Sequence, residues 1–226
     1  MKVLIIPDVH GKDKFSHILN DDINNIDKII FMGDYFDSFD TPWEEQLITF
    51  QKIISLKEGY PDKVICLIGN HCIQYMRKYN PSLKEICKGY QKSNVFKIAD
   101  LFDKYSHLFQ MAANITIKNN YYLFTHAGVT NEFYQYLLQI ADYPDLDISF
   151  LINEVWVDYF KEPDFNSHLW VRPSKLRLDP LMYDHSKNLQ IIQIVGHTPL
   201  DNMLIDLNKN IYFTDSNQNK PIYFII

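Results

Sequence analysis

The chain has 226 residues, of which 46% are hydrophobic and 22% charged, a balance that excludes a disordered or fibrous protein and suits one folded domain over residues 1–226. A formal charge of −6 argues against general nucleic-acid binding, which needs a basic face, and no run approaches the ~18–20 apolar residues of a membrane helix. The three cysteines, Cys66, Cys72 and Cys87, lack zinc-ligand spacing and no signal peptide precedes them, so we expect a soluble cytoplasmic protein with free thiols.

The first predicted strand covers residues 3–6, an apolar β-branched run too short for a buried helix. Runs of the same kind at 28–31, 64–68, 121–124 and 191–195 give four more. Between the second and third, Thr41-Pro42-Trp43-Glu44 reads as the N-cap, first-turn proline and capping-box glutamate of a helix reaching about Lys57, with Trp43, Leu47, Phe50 and Ile54 on its apolar face. Residues 79–109 have helical character without clear periodicity and read as an insertion. Asn119-Asn120, between 114–118 and 121–125, marks a hairpin turn, because asparagine tolerates positive φ. In 142–187 a helix near 148–160 stands among proline-marked loops, a second insertion. Residues 203–206, 211–213 and 222–225 read as antiparallel strands that close the chain, so the fold class is mixed α/β, with early βαβ units and a later meander.

Just beyond the five main strands stand Asp8-Val9-His10, Gly33-Asp34, Gly69-Asn70-His71, Thr125-His126 and Gly196-His197. Aspartate, asparagine and glycine are ordinary turn formers, but turns have no need of histidine, and four of the eight histidines fall here. Loops at the carboxyl ends of parallel strands converge where ligands bind, so these positions are expected to form one site. Mixed imidazole and oxygen donors suit manganese, iron or zinc better than calcium or magnesium. Only Arg77, Arg172 and Arg177 can offer a bidentate phosphate clamp. His17, His107, His168 and His185 lack strand-end placement and read as surface or packing residues.

Asp8-x-His10-Gly11, Gly33-Asp34-x-x-Asp37, Gly69-Asn70-His71, His126-Ala127-Gly128 and Gly196-His197-Thr198-Pro199 together resemble the calcineurin-like metallophosphoesterases, most closely the bacterial branch of the phosphoprotein phosphatases. The resemblance implies a four-layer α/β/β/α sandwich and a dinuclear centre of two divalent transition-metal ions, with manganese favoured. It implies that Asp8, His10 and Asp34 hold one ion and Asp34, Asn70, His126 and His197 the other, with Asp34 bridging. Hydroxide would then be the nucleophile, so Cys72 is expected to be a bystander. His71 matches the family's general acid, Asp37 its orienting partner, and Arg172 in Leu169-Trp170-Val171-Arg172-Pro173 the phosphate ligand, aided by Asn70; Arg177 is the nearby competitor.

Two departures stand out. The family usually has arginine and glycine after the second aspartate of its second motif, where this chain has Ser38 and Phe39, and glutamate after the histidine of its third, where Cys72 stands. One of two phosphate-binding arginines is therefore missing, and lysine, Asn70 and the metals are expected to share the load. The expected activity is hydrolysis of a phosphate monoester, on a phosphoprotein or a small metabolite. A nucleotide or dinucleoside polyphosphate hydrolase with the same centre is the first alternative. An inactive scaffold that binds a protein partner is the second, and the survival of every ligand position counts against it.

Overall fold

Parallel strands need long crossovers, and the first half of the chain supplies them. In a computed structural model, which describes residues 1–141, 147–155, 166–184, 187–216 and 221–226, the chain divides into two compact units, Met1–Gln110 with Gln218–Ile226, and Met111–Asn217. The first unit contains β1 (Lys2–Ile6), α1 (Ser16–Asp22), β2 (Lys28–Phe31), α2 (Trp43–Gly59), β3 (Val64–Leu67), α3 (Asn70–Ile73), α4 (Val95–Lys104) and β4 (Phe109–Gln110). The second contains β5 (Ala112–Ile117), β6 (Asn120–Thr125), α5 (Asn131–Ile140), α6 (Ile148–Val155), α7 (Pro173–Leu178), β7 (Tyr183–Asp184), β8 (Leu189–Val195), β9 (Leu204–Asp206) and β10 (Ile211–Phe213). The last strand, β11 (Ile222–Ile225), belongs to the first unit.

The sheet of the first unit has the order β11-β1-β2-β3-β4, with β1 to β4 parallel and β11 antiparallel at the edge. Val3, Leu4, Ile5, Ile29, Ile30 and Phe31 are fully buried, as the continuous apolar runs require of strands covered on both faces. The last strand therefore does not extend the meander; it pairs Lys2 with Ile225 and Ile5 with Ile222.

Helix α2 differs from its sequence reading at its start. Pro42 is the N-cap and has no side-chain acceptor to cap with, while the Thr41 hydroxyl, one residue too early, donates to Asp40 Oδ1 (3.4 Å). The buried face is Gln46, Thr49, Phe50, Ile53 and Ile54, while Trp43 and Leu47 are half-buried. Gln46 lies inside because its amide donates to the Thr41 carbonyl (2.7 Å) and accepts from the Ser38 amide (3.3 Å). The insertion at 79–109 holds one α-helix, α4, which buries Val95, Ile98, Ala99 and Phe102.

The second unit's sheet runs β5-β6-β8-β10-β9, with β7 also paired to β8. Strands β6, β8 and β10 are mutually parallel, and β5, β7 and β9 are antiparallel to their neighbours. The β5–β6 hairpin turns on Lys118-Asn119, since Ile117 pairs with Asn120, and the positive φ falls on Lys118 (54°) rather than on an asparagine. That is the first central position of the turn, the one a type II′ hairpin asks to be left-handed. The helix expected near 148–160 begins at Ile148, and residues 156–160 lie outside the described part. Among the described residues no helix is long and apolar enough to cross a membrane.

Both sheets are mixed with helices, so the α/β class holds. Strand β1, β2 and β3 all end at one edge of the first sheet, and β6 and β8 at one edge of the second.

Candidate active site

In the first unit the loops after β1 and β2 are tied together beyond the strands. Met32 N–H donates to the Ile6 carbonyl (2.9 Å), Val9 to Gly33 (3.2 Å), His10 to Asp34 (2.6 Å) and Gly11 to Tyr35 (2.9 Å). Asp8 and Asp34, both buried, each present a carboxylate oxygen within 4.8 Å of the other's. His10, Asp34 and His71 likewise offer atoms within 4.8 Å of one another.

Glycines at 33 and 69 allow this approach. A Cβ on Gly33, which has φ of +114°, would sit 2.6 Å from the Gly69 nitrogen, and one on Gly69 would sit 2.1 Å from Asp34 Oδ1. The same carboxylate oxygen accepts the His71 amide N–H (2.9 Å), so the first turn of α3 holds Asp34 in place. Left-handed backbone appears at His10 (φ 42°), Asp34 (53°) and Asp37 (72°), positions where an L-residue is strained. Such strain persists only where surrounding contacts over-determine it, and here the inter-loop bonds do so.

Each imidazole is oriented. His10 Nδ1–H donates to the Phe36 carbonyl (3.0 Å), which leaves Nε2 directed toward Asp34 (3.9 Å from Oδ2), the arrangement that metal-ligating histidines adopt. His71 Nδ1 pairs with Asp37 Oδ2 at 2.8 Å. Burial pushes the Asp37 carboxyl up, against the bonds from His71 and Tyr75 that favour its charged form. The Asn70 amide nitrogen donates to Cys87 Sγ (3.4 Å), which makes Oδ1 the atom suited to a cation.

The second unit brings His126 and His197 together, with Nε2 of the first 3.1 Å from Nδ1 of the second. Two nitrogens ligating one ion at ~2.0–2.1 Å stand about 3.3 Å apart in a tetrahedral site, so the pair already has the edge length of a metal site. His197 also adopts left-handed backbone (φ 69°) and meets the Trp170 indole edge-on at 6.3 Å between centroids. The carboxylate, amide and imidazole donors of the first unit, and the imidazole pair of the second, are each of a kind that suits a divalent cation.

Arg172 is exposed at the start of α7 and donates to Thr198 Oγ1 (3.2 Å), next to His197. Arg177 is engaged with Asp206 (2.7 Å) and Arg77 with Asp100 (2.8 Å) and Asp103. Among the described residues Arg172 alone of the three lacks a carboxylate partner.

Cys72 is buried and its thiol is pushed far above the ordinary value by burial, then by Asp34, which is the wrong direction for a nucleophile. Cys66, Cys72 and Cys87 are all free thiols. His17 and His107 are exposed, and His185 lies outside the described residues. His168 is a packing residue of a particular kind: fully buried against Phe133, its carbonyl accepts the Ala127 amide (2.7 Å), and burial, then repulsion from His126, pulls it down to about 3. Sequence reasoning missed its closeness to His126, and missed Asp215, buried just beyond β10. A third polar residue behind a parallel strand was the available signal for Asp215.

A family model described as calcineurin-like phosphoesterase matches residues 1–224. The chain belongs to the calcineurin-like phosphoesterase family. It is a metal-dependent hydrolase of phosphate esters. No curated protein sequence matches this phosphoesterase. Among solved structures, a cold-active protein-tyrosine phosphatase from a psychrophilic Shewanella species shares its fold with a TM-score of 0.62 at 15% identity, over 96% of this chain and 72% of that one. A protein serine/threonine phosphatase from Saccharomyces cerevisiae with similarity to human PP5 gives 0.56 at 16% identity, over 96% and 67%. These likenesses concern the fold of the phosphoesterase.

Proposed function

We propose that this phosphoesterase hydrolyses phosphate monoesters, on phosphoproteins or small phosphorylated metabolites, as a single functional domain with a centre of two divalent transition-metal ions, manganese first. Asp8, His10 and Asp34 would hold one ion and Asp34, Asn70, His126 and His197 the other. Bound there, the ions supply charge neutralisation of the phosphoryl group and a lowered pKa for water. Arg172 clamps two phosphoryl oxygens, and His71, with its Nδ1 on Asp37, presents Nε2 to the ester oxygen and gives it a proton as the bond breaks. Buried free thiols fit a reducing, cytoplasmic setting.

The observation that carries this reading is the His71–Asp37 pair at 2.8 Å, with Asp37 fully enclosed. It supplies the acid that an ester with a poor leaving group requires. The monoester reading is favoured over a polyphosphate because cleaving a phosphoanhydride releases a far better leaving group, which needs such an acid less.

The test is leaving-group dependence. His71→Asn is expected to lower kcat on alkyl phosphates by about 10²-fold while p-nitrophenyl phosphate, whose leaving group needs no proton, loses far less. Equal losses on both esters, with metal content unchanged, would remove the acid role.

A further inference from the structure

A buried carboxylate that orients a catalytic imidazole must itself be held, and in the first unit the residues that hold Asp37 come from one short segment. Asp37 Oδ2, besides His71, accepts from the Gln74 side-chain amide, and Oδ1 accepts from the Tyr75 hydroxyl. Gln74 and Tyr75 follow directly on α3, whose first residues are Asn70 and His71, so the imidazole and two of the groups that fix its partner are within one turn and a half of chain.

Both donors are themselves immobilised from the opposite side. Gln74 Oε1 accepts the backbone amides of Cys87 (2.9 Å) and Ile86 (3.1 Å), which settles the orientation of the amide and aims its nitrogen at Asp37. The Gln74 carbonyl accepts from Asn80 Nδ2 (2.9 Å). The Tyr75 hydroxyl accepts the Gln91 amide (2.7 Å), which leaves its proton for Asp37. The Tyr75 ring stacks on Tyr90 at 5.2 Å and 7°. Gly89, with φ of +85°, comes so close that a Cβ there would stand 3.0 Å from the Asp37 carbonyl oxygen.

We infer that Gln74 and Tyr75 are positioning residues for the general acid, and that the segment from Asn80 to Gln91 exists in part to lock them. The inference rests on the proposed roles of His71 and Asp37. Three donors converge on one enclosed carboxylate: an amide N–H, a phenolic O–H and the imidazole Nδ1–H. A carboxylate so surrounded keeps a single rotamer and, of the two imidazole nitrogens, meets only Nδ1, which fixes the tautomer with Nε2 as the exchanging nitrogen. Hydrogen bonds to the same carboxylate also hold the ring plane of His71, so the effect of each donor reaches the ester through His71 alone.

The experiment compares kcat and KM on an alkyl phosphate and on p-nitrophenyl phosphate, in the manganese-loaded full chain. Tyr75→Phe keeps the stack on Tyr90 and removes one donor. Gln74→Glu keeps the acceptor for Ile86 and Cys87 and turns a second carboxylate toward Asp37. Each is expected to lower kcat on the alkyl ester by about 10-fold, with KM within about twofold, less than about threefold loss on the aryl ester, and full metal content. A purely structural role would lower both esters alike or lower the folded fraction alone. Either of those results, or wild-type leaving-group dependence in both variants, overturns the inference while His71→Asn still shows the selective loss. If His71→Asn itself loses both esters equally, the acid reading fails and the inference fails with it. Should Tyr75→Phe not fold, Gln74→Glu decides by the same criteria.

Discussion

The two units reach similar strand-end chemistry by different means. The first collects charged and hydrogen-bonded groups: Asp8, Asp34 and Asp37 are buried, His10, Asp34 and Asp37 in the loops after β1 and β2 have left-handed backbone, and two glycines admit a contact that no side chain would allow. The second collects rings: His126, His168 and Trp170 are buried, His197 nearly so, in surroundings that pull His168 down to about 3. A buried carboxylate must be compensated by donors or cations, and so it demands exact backbone geometry. An imidazole ligand binds a metal in its neutral form, and burial disfavours the charged ring. The difference teaches that carboxylates at strand ends call for three left-handed residues and two close glycines, where the ring pair of the second unit has left-handed backbone at His197 alone.

The comparison breaks most visibly at Asp34. Asp34→Asn is expected to lower kcat/KM by at least ~10²-fold, since the one carboxylate that serves as the proposed metal ligand and accepts the His71 amide loses its charge, while the fold persists. Steady-state kinetics alongside circular dichroism would check both parts. Retained activity after this change and after exhaustive chelation would contradict the role of the first unit.

Arg172 against Arg177 sharpens the comparison within the second unit. Arg172→Ala is expected to raise KM and lower kcat, together about 10-fold or more, by loss of a bidentate charged contact. Arg177→Ala is expected to change kinetics little, because its guanidinium is spent on Asp206 (2.7 Å). The reverse order in measured kcat/KM would move the phosphate ligand to Arg177.

The smallest effect on activity is expected at Asp147, which caps the start of α6. Its Oδ1 accepts from Tyr121 OH (2.7 Å), Ser149 Oγ (2.6 Å) and Ser149 N–H (2.9 Å). Burial raises this carboxyl, but bonds from Ser149 and Tyr121 outweigh it and hold it below its ordinary value. A folded-state pKa that is depressed contributes stability above the unfolded value of about 3.9 and loses it as pH falls through the folded value. Asp147→Asn is therefore expected to cost about 1–2 kcal/mol at pH 7, with the gap to wild type closing below about pH 4 and kcat unchanged. Chemical denaturation at the two pH values measures this.

Much of the candidate site was legible in the sequence, because metal-competent residues behind β-branched runs stand out from ordinary turn formers. Asp8, His10, Asp34, Asn70 and His71 lie at one sheet edge for the reason the sequence suggested: parallel strands of four to five residues end together. Packing decided what remained. Thr41 is a good N-cap by type, but it stands one residue too early and its hydroxyl goes to Asp40; Gln46 looks like a surface residue, but Ser38 and Thr41 draw it inside. The pairing of β11 with β1 depends on contacts more than two hundred residues apart in sequence, such as Val3 with Phe224, which local pattern does not encode. Gln74 and Tyr75 carry no motif, and only the bonds to Asp37 reveal them.

Metal stoichiometry tests most directly whether both units serve one two-ion centre. Elemental analysis of the manganese-reconstituted chain should give close to two equivalents in wild type, and His10→Asn and His197→Asn should each lower it toward one while the protein stays folded. One equivalent in wild type, abolished by His10→Asn and untouched by His197→Asn, would contradict the account.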